Sequence, residues 1–166
     1  MWVSAASIER GGTFSTTWLV VSYAVLLLVG IAQSYVDITT HRVYVAVTHF
    51  AGAWTLSTLT VHALMIGEAD AIVRMAASAV VMWAGFHILA RTSTEGIGKG
   101  DVRLAPVIGL ALGYLSYASV VTGVLAMTLI GATWAIIAML RHGRNARVPY
   151  VPAMYGGLVI ALATQG

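Results

Sequence analysis

Six apolar stretches constrain this chain more than any other feature of it: Trp18–Tyr35, Val43–Ile66, Ala71–Ala90, Leu104–Ala118, Val120–Leu140 and Val148–Thr164. Each approaches the ~20 residues that a helix needs to cross ~30 Å of hydrocarbon, the fourth being short. Only 9% of the residues are charged, where a soluble domain carries roughly 25%. Too few polar groups remain to cover a water-facing surface, so lipid is the expected solvent. A backbone amide left unpaired in lipid costs several kcal/mol, which predicts a helix for each stretch. The period-two alternation of a membrane barrel is missing. The expected fold class is therefore all-α: a polytopic membrane helix bundle of about six transmembrane helices.

The charges between the stretches predict orientation. Arg42, then Arg91, Lys99 and Arg103, then Arg141, Arg144 and Arg147 follow the first, third and fifth stretches, while the opposite side holds only Arg10 and Arg74. By the positive-inside rule the seven face the cytoplasm, and both termini lie outside. The same rule accounts for the pI near 9.5 without nucleic acid as a partner. No cysteine is present, which excludes a disulfide framework and any thiolate metal or redox site. Residues 1–16 read as a short, weakly ordered tail and 17–166 as one transmembrane domain. The neutral approach to the first stretch and the lack of a nearby A-x-A site argue against a cleaved signal peptide. Eight arginines against one lysine, with abundant Ala, Val and Gly, hint at a high-GC bacterial genome.

Of six acidic residues, Glu9, Glu68 and Asp70 fall on the outer side in ordinary positions, and Glu95 lies in the polar run Arg91–Asp101. Asp37 follows the first stretch directly and Asp101 comes three residues before the fourth. Both are predicted at the cytoplasmic boundary on separate helices, where an ionisable group is a functional candidate. Two close carboxylates repel, which raises one pKa so that the pair shares a proton. The ionised member then takes a proton from water while its partner donates to a carbonyl oxygen. Position alone is equally compatible with two unrelated aspartates, solvated or paired with Arg42 or Arg103.

The surroundings of Asp101, G-I-G-K-G-D-V-R-L-A-P-V-I-G-L-A-L-G, add information. Gly98 and Gly100 allow positive φ and close approach of an extended substrate. Gly109 and Gly113 form a G-x-x-x-G face, suited to drawing this helix against the one that bears Asp37. Lys99 and Arg103 stand close enough in sequence to depress the pKa of Asp101, or they face headgroups instead. No H-E-x-x-H motif links the five histidines, and His49, His62 and His87 read as polar packing residues. No G-x-S-x-G-like elbow followed by a histidine points to a serine peptidase.

This run resembles the G-x-G-D membrane aspartyl peptidases, specifically the type IV prepilin peptidase family. Gly98, Gly100 and Asp101 match the motif, and Arg103-Leu104 stands where the family often has Lys-Leu. Asp37 matches the other catalytic aspartate, and Arg42 and Val43 are kept after it, but Tyr44-Val45 replaces the family's Pro-Asn. Near the end, V-P-Y-V-P-A-M-Y-G-G is similar to the family's I-P-F-G-P-x-x-x-x-G through Val148, Pro149, Tyr150, Pro152 and Gly157. The two prolines are expected to hold the start of the last span extended.

The resemblance implies an intramembrane aspartic endopeptidase of small form, without the cytoplasmic insert of larger members. Its expected role is to remove the leader from a prepilin or pseudopilin at the cytoplasmic face of a bacterial inner membrane. Asp37 and Asp101 would be catalytic. Gly98, Lys99, Gly100, Arg103, Arg42, Pro149 and Pro152 would bind substrate or shape the site, and no metal or organic cofactor is required. Substrate is expected to pair in extended form with the Glu95–Lys99 region. The alternatives are a proton-coupled transporter or channel using the two aspartates as a relay, and a non-catalytic pilus-assembly subunit.

Overall fold

A computed structural model describes residues 5–92, 98–143 and 148–164 of the chain. The described residues form six helices and no strand: α1 (Ala5–Thr40), α2 (Val45–Met65), α3 (Ala69–Thr92), α4 (Lys99–Leu115), α5 (Tyr117–His142) and α6 (Val151–Ala163). Three helical segments, Gly12–Thr40, Ala69–Thr92 and Tyr117–Arg141, are long and apolar enough to cross a membrane. Side chains such as Leu28, Ile31, Leu129 and Leu140 point out of the bundle, at 65%, 68%, 69% and 78% exposure. An apolar outer surface of this extent would be unfavourable in water and suits hydrocarbon.

Helix boundaries follow local chemistry more closely than hydropathy does. α1 bends at Gly12, whose φ of 64° and ψ of −173° are open to glycine, and it takes in residues read from sequence as a tail. Ser15 in this segment is buried and bonded to α2. His41, at φ 50°, ends α1, and its N–H returns to the Asp37 carbonyl (2.9 Å). The expected fourth span runs unbroken to Ala118, yet α4 stops at Leu115. Ser116 is extended there, and its side chain accepts the Ser119 N–H (3.0 Å) to cap α5.

Helix α4 is the centre of the bundle and packs against α2, α3, α5 and α6, while α1 packs against α2 and α6. Leu104, Ala105, Ile108, Ala111 and Leu112 are fully buried. The Gly109/Gly113 face meets α3, not α1 as its spacing suggested. A Cβ on Gly109 would lie 2.7 Å from the Ser78 carbonyl oxygen, and one on Gly113 would lie 2.6 Å from that of Arg74. Small residues thus let two backbones touch, as in membrane helix pairs. The α1 helix reaches α4 differently, through the Tyr23 hydroxyl, which donates to the Ala111 carbonyl (2.6 Å).

Helices consecutive in the chain run antiparallel. Between α1 and α2, Trp18 Nε1–H donates to the Thr58 carbonyl (3.0 Å) and Gln33 Nε2–H to Thr48 Oγ1 (3.0 Å). Between α5 and α6, a Cβ on Gly157 would meet the Gly123 carbonyl and one on Gly131 the Tyr150 ring. This topology gathers the last turns of α1, α3 and α5 and the first turns of α2, α4 and α6 at one end. Arg42, Arg91, Lys99, Arg103 and Arg141 lie there. Arg144 and Arg147 fall outside the described residues.

Candidate active site

The basic end of the bundle holds two buried carboxylates, Asp37 in the last turn of α1 (6% exposed) and Asp101 in the first turn of α4 (7% exposed). Each is gripped by the backbone. The Val151 N–H, at the start of α6, donates to Asp37 Oδ2 (3.1 Å). The Gly98 N–H donates to Asp101 Oδ2 (3.1 Å), so that an acid at the third helical position reaches back to its own N-cap. Both carboxylates therefore sit at helix starts, that of Asp37 at α6 and that of Asp101 at α4, where unpaired N–H groups and the helix dipole favour an anion.

Asp101 precedes the apolar stretch that begins at Leu104. Burial pushes its carboxyl up to about 6, and the neighbouring Asp37 charge adds to the rise against the opposing Gly98 N–H. The shift is upward, contrary to the depression expected from Lys99 or Arg103. Both side chains are exposed, and among the described residues neither forms an ion pair. Asp37 and Asp101 lie close enough for the charge of one to act on the other, and α6 bridges them, since α1 and α4 both pack on it.

The glycines of the motif serve by their size. Neither Gly98 nor Gly100 has positive φ; Gly98 is extended at φ −70°, ψ 149°. A Cβ on Gly100 would collide with Val43 at 2.6 Å, so this glycine lets the α1–α2 connection close over the start of α4. A Cβ on Gly98 would press on Asp101 Oδ2 at 3.3 Å. The prolines also act otherwise than expected. Tyr150 is in the right-handed helical region (φ −98°, ψ −20°) and Pro152 stands in the first turn of α6. Proline is tolerated there because that N–H has no helical acceptor, and the free donor beside it is the one that holds Asp37.

Arg42 is exposed in the α1–α2 connection and Pro149 is half-buried beside Tyr150. Glu95, with residues 93–97, lies outside the described residues, so the docking expectation for Glu95–Lys99 falls largely there. Tyr44 has φ −74°, an angle that a proline also adopts.

Sequence reasoning passed over Gln33, one turn before Asp37 on the same face of α1. It is buried, donates to Thr48 and accepts from the Tyr155 hydroxyl (3.4 Å). The i, i+4 pairing of Gln33 with Asp37 was the available signal. Tyr150 packs edge-on against Phe86 of α3, 5.8 Å between centroids, and lies within the field of the Asp101 charge. At the opposite end, His62 bridges Ser15 Oγ (2.8 Å) and the Tyr114 hydroxyl. These groups are buried and link α1, α2 and α4, the packing role read from sequence for His62. Among the described residues no three potential metal ligands cluster.

Compared with models of known families, with curated proteins and with solved structures, the chain matches none.

Proposed function

We propose that this chain is an intramembrane aspartic endopeptidase that removes leader peptides from prepilin-like or pseudopilin-like proteins. In this reading all six helices cross a bacterial inner membrane, both termini lie outside, and the basic end of the bundle faces the cytoplasm. The observation that carries it is the pair Asp37 and Asp101. The two acids are buried at one end of the bundle, each is held by backbone N–H donors, and burial together with the Asp37 charge raises the pKa of Asp101.

Such a pair holds one proton between its members in mildly acid solution, up to the value of about 6 reached by Asp101, and titrates as a unit. The ionised carboxylate draws a proton from water as the water attacks the scissile carbonyl carbon. The protonated carboxyl donates to the carbonyl oxygen, giving a tetrahedral diol, and its collapse passes a proton to the departing amine. The substrate class comes from the resemblance of G-K-G-D and of V-P-Y-V-P-A-M-Y-G-G to prepilin peptidases. A basic leader kept in the cytoplasm presents its scissile bond at the level of both acids. Exposed Arg42 and Lys99 are anchored beside that level without competing for the carboxylates.

Co-expression tests the reading. A candidate prepilin is produced with wild type, Asp37→Asn or Asp101→Asn, and leader removal is followed by gel shift. Cleavage by wild type and by neither variant supports the peptidase. Undiminished cleavage by either variant rejects it.

A further inference from the structure

Helices α2, α3 and α4 border an open groove of about 490 Å³ that reaches the bundle's outer surface, where Leu56 and Trp83 are exposed. Its floor is α4, with Arg103 at the basic end and Leu110 two turns deeper; α2 contributes His49, Gly52 and Leu56, and α3 contributes Trp83. Arg103 and His49 each lie about one turn inside their helices, at a common level. The deeper lining is apolar, and the lining contains no acidic side chain. Arg103 is two residues past Asp101, on the far face of α4 from the carboxylate pair. Among the described residues it has neither an ion pair nor a hydrogen-bond partner.

A cation at the mouth of an apolar slot, open to the lipid-facing surface, is complementary to one kind of molecule. We propose that this groove binds an anionic phospholipid, its phosphate on Arg103 and one acyl chain running along Gly52, Leu56 and Leu110. Arginine suits the task because its planar guanidinium donates two parallel hydrogen bonds to a phosphate. Gly52 keeps the slot open, since a Cβ there already lies 3.3 Å from Val107. The inference stands independently of the peptidase reading.

Quenching by phospholipids brominated on the acyl chain tests it, using the full chain in a neutral detergent. The Trp83 signal is the difference between wild type and Trp83→Phe. Phosphatidylglycerol brominated across its oleoyl double bonds should quench Trp83 at concentrations about fivefold below those of phosphatidylcholine brominated in the same way, the increment one interfacial arginine contributes toward an anionic headgroup. Arg103→Gln should erase that preference, and Gly52→Leu should weaken quenching by both lipids. Equal quenching by the two lipids in wild type overturns the proposal, as does a preference that survives Arg103→Gln. The first comparison needs no altered groove residue, so misfolding of a variant does not protect the idea.

Discussion

The backbone N–H of Val151 donates to Oδ2 of Asp37 across 3.1 Å, joining residues 114 positions apart. This bond sets the first turn of α6 against the last turn of α1, and α6 in turn packs on α4, the helix that carries Asp101. Pro152 contributes by starting α6 where it does, leaving the Val151 amide without a helical acceptor. The acid pair is thus assembled by backbone donors at two helix starts. Its geometry belongs to the fold more than to side-chain rotamers.

Protonation of Asp101 should be visible in stability. Its folded pKa, about 6, lies above the ordinary aspartate value because of burial first and the Asp37 charge second. Between the ordinary value and about 6 the folded state keeps a proton that the unfolded state has released. Stability is then full below that window and falls as pH rises through it. Thermal unfolding in detergent across pH 4 to 7 (roughly the window just named) should show wild type losing stability with rising pH. Asp101→Asn should show a flatter profile, and identical profiles would contradict the assignment.

The α3–α4 contact predicts opposite outcomes for two glycines. A methyl on Gly113 would lie 2.6 Å from the Arg74 carbonyl oxygen and the Ser78 hydroxyl, whereas one on Gly85 meets nothing within 4 Å. Gly113→Ala should destabilise by about 1–3 kcal/mol through overpacking. Gly85→Ala should be neutral or stabilise by up to ~1 kcal/mol through helix propensity. Denaturant titrations of the two variants decide, and equal effects would refute the close packing of α3 on α4.

His62→Ala removes the bridge between Ser15 and Tyr114 and leaves both hydroxyls buried. The expected cost is about 1–3 kcal/mol. Since these groups sit at the end opposite the aspartates, leader cleavage below the unfolding temperature should persist. A stable His62→Ala variant that has lost cleavage would show that the two ends are coupled.

Tyr44 occupies a backbone position that proline accepts, at φ −74°, and its side chain is exposed. Tyr44→Pro should leave stability unchanged or raise it by about 0.4–1 kcal/mol by restricting the unfolded chain. A clear loss in a thermal melt would show that the connection depends on the tyrosine itself.

Much of this arrangement was legible in the residues, and what was not has a physical cause. Apolar runs of span length announce helices because lipid forbids unpaired amides, and charge depletion left Asp37 and Asp101 conspicuous. Gly109 and Gly113 announced a close contact, but small residues do not name their partner; α3 takes the place assigned to α1 because Ser78 and Ala79 allow equal approach from the other side. The α4–α5 break was read at Ser119 instead of Ser116, because Ser116 is one polar residue in an apolar run and its effect comes from capping geometry. Gly100 looked like a source of backbone freedom, while the reason for it is Val43, 57 positions earlier in the chain. Nonlocal contacts of this kind leave no local pattern.

In the proposed function Asp37 and Asp101 together hydrolyse a peptide bond. Its most direct test places purified protein in liposomes with a synthetic substrate, a basic leader ending in glycine followed by an apolar segment, and weighs the products by mass spectrometry. One cut on the carboxyl side of that glycine is expected with wild type and no product with Asp37→Asn or Asp101→Asn, each variant still folded by thermal melt. Product of the same mass from either folded variant would contradict it.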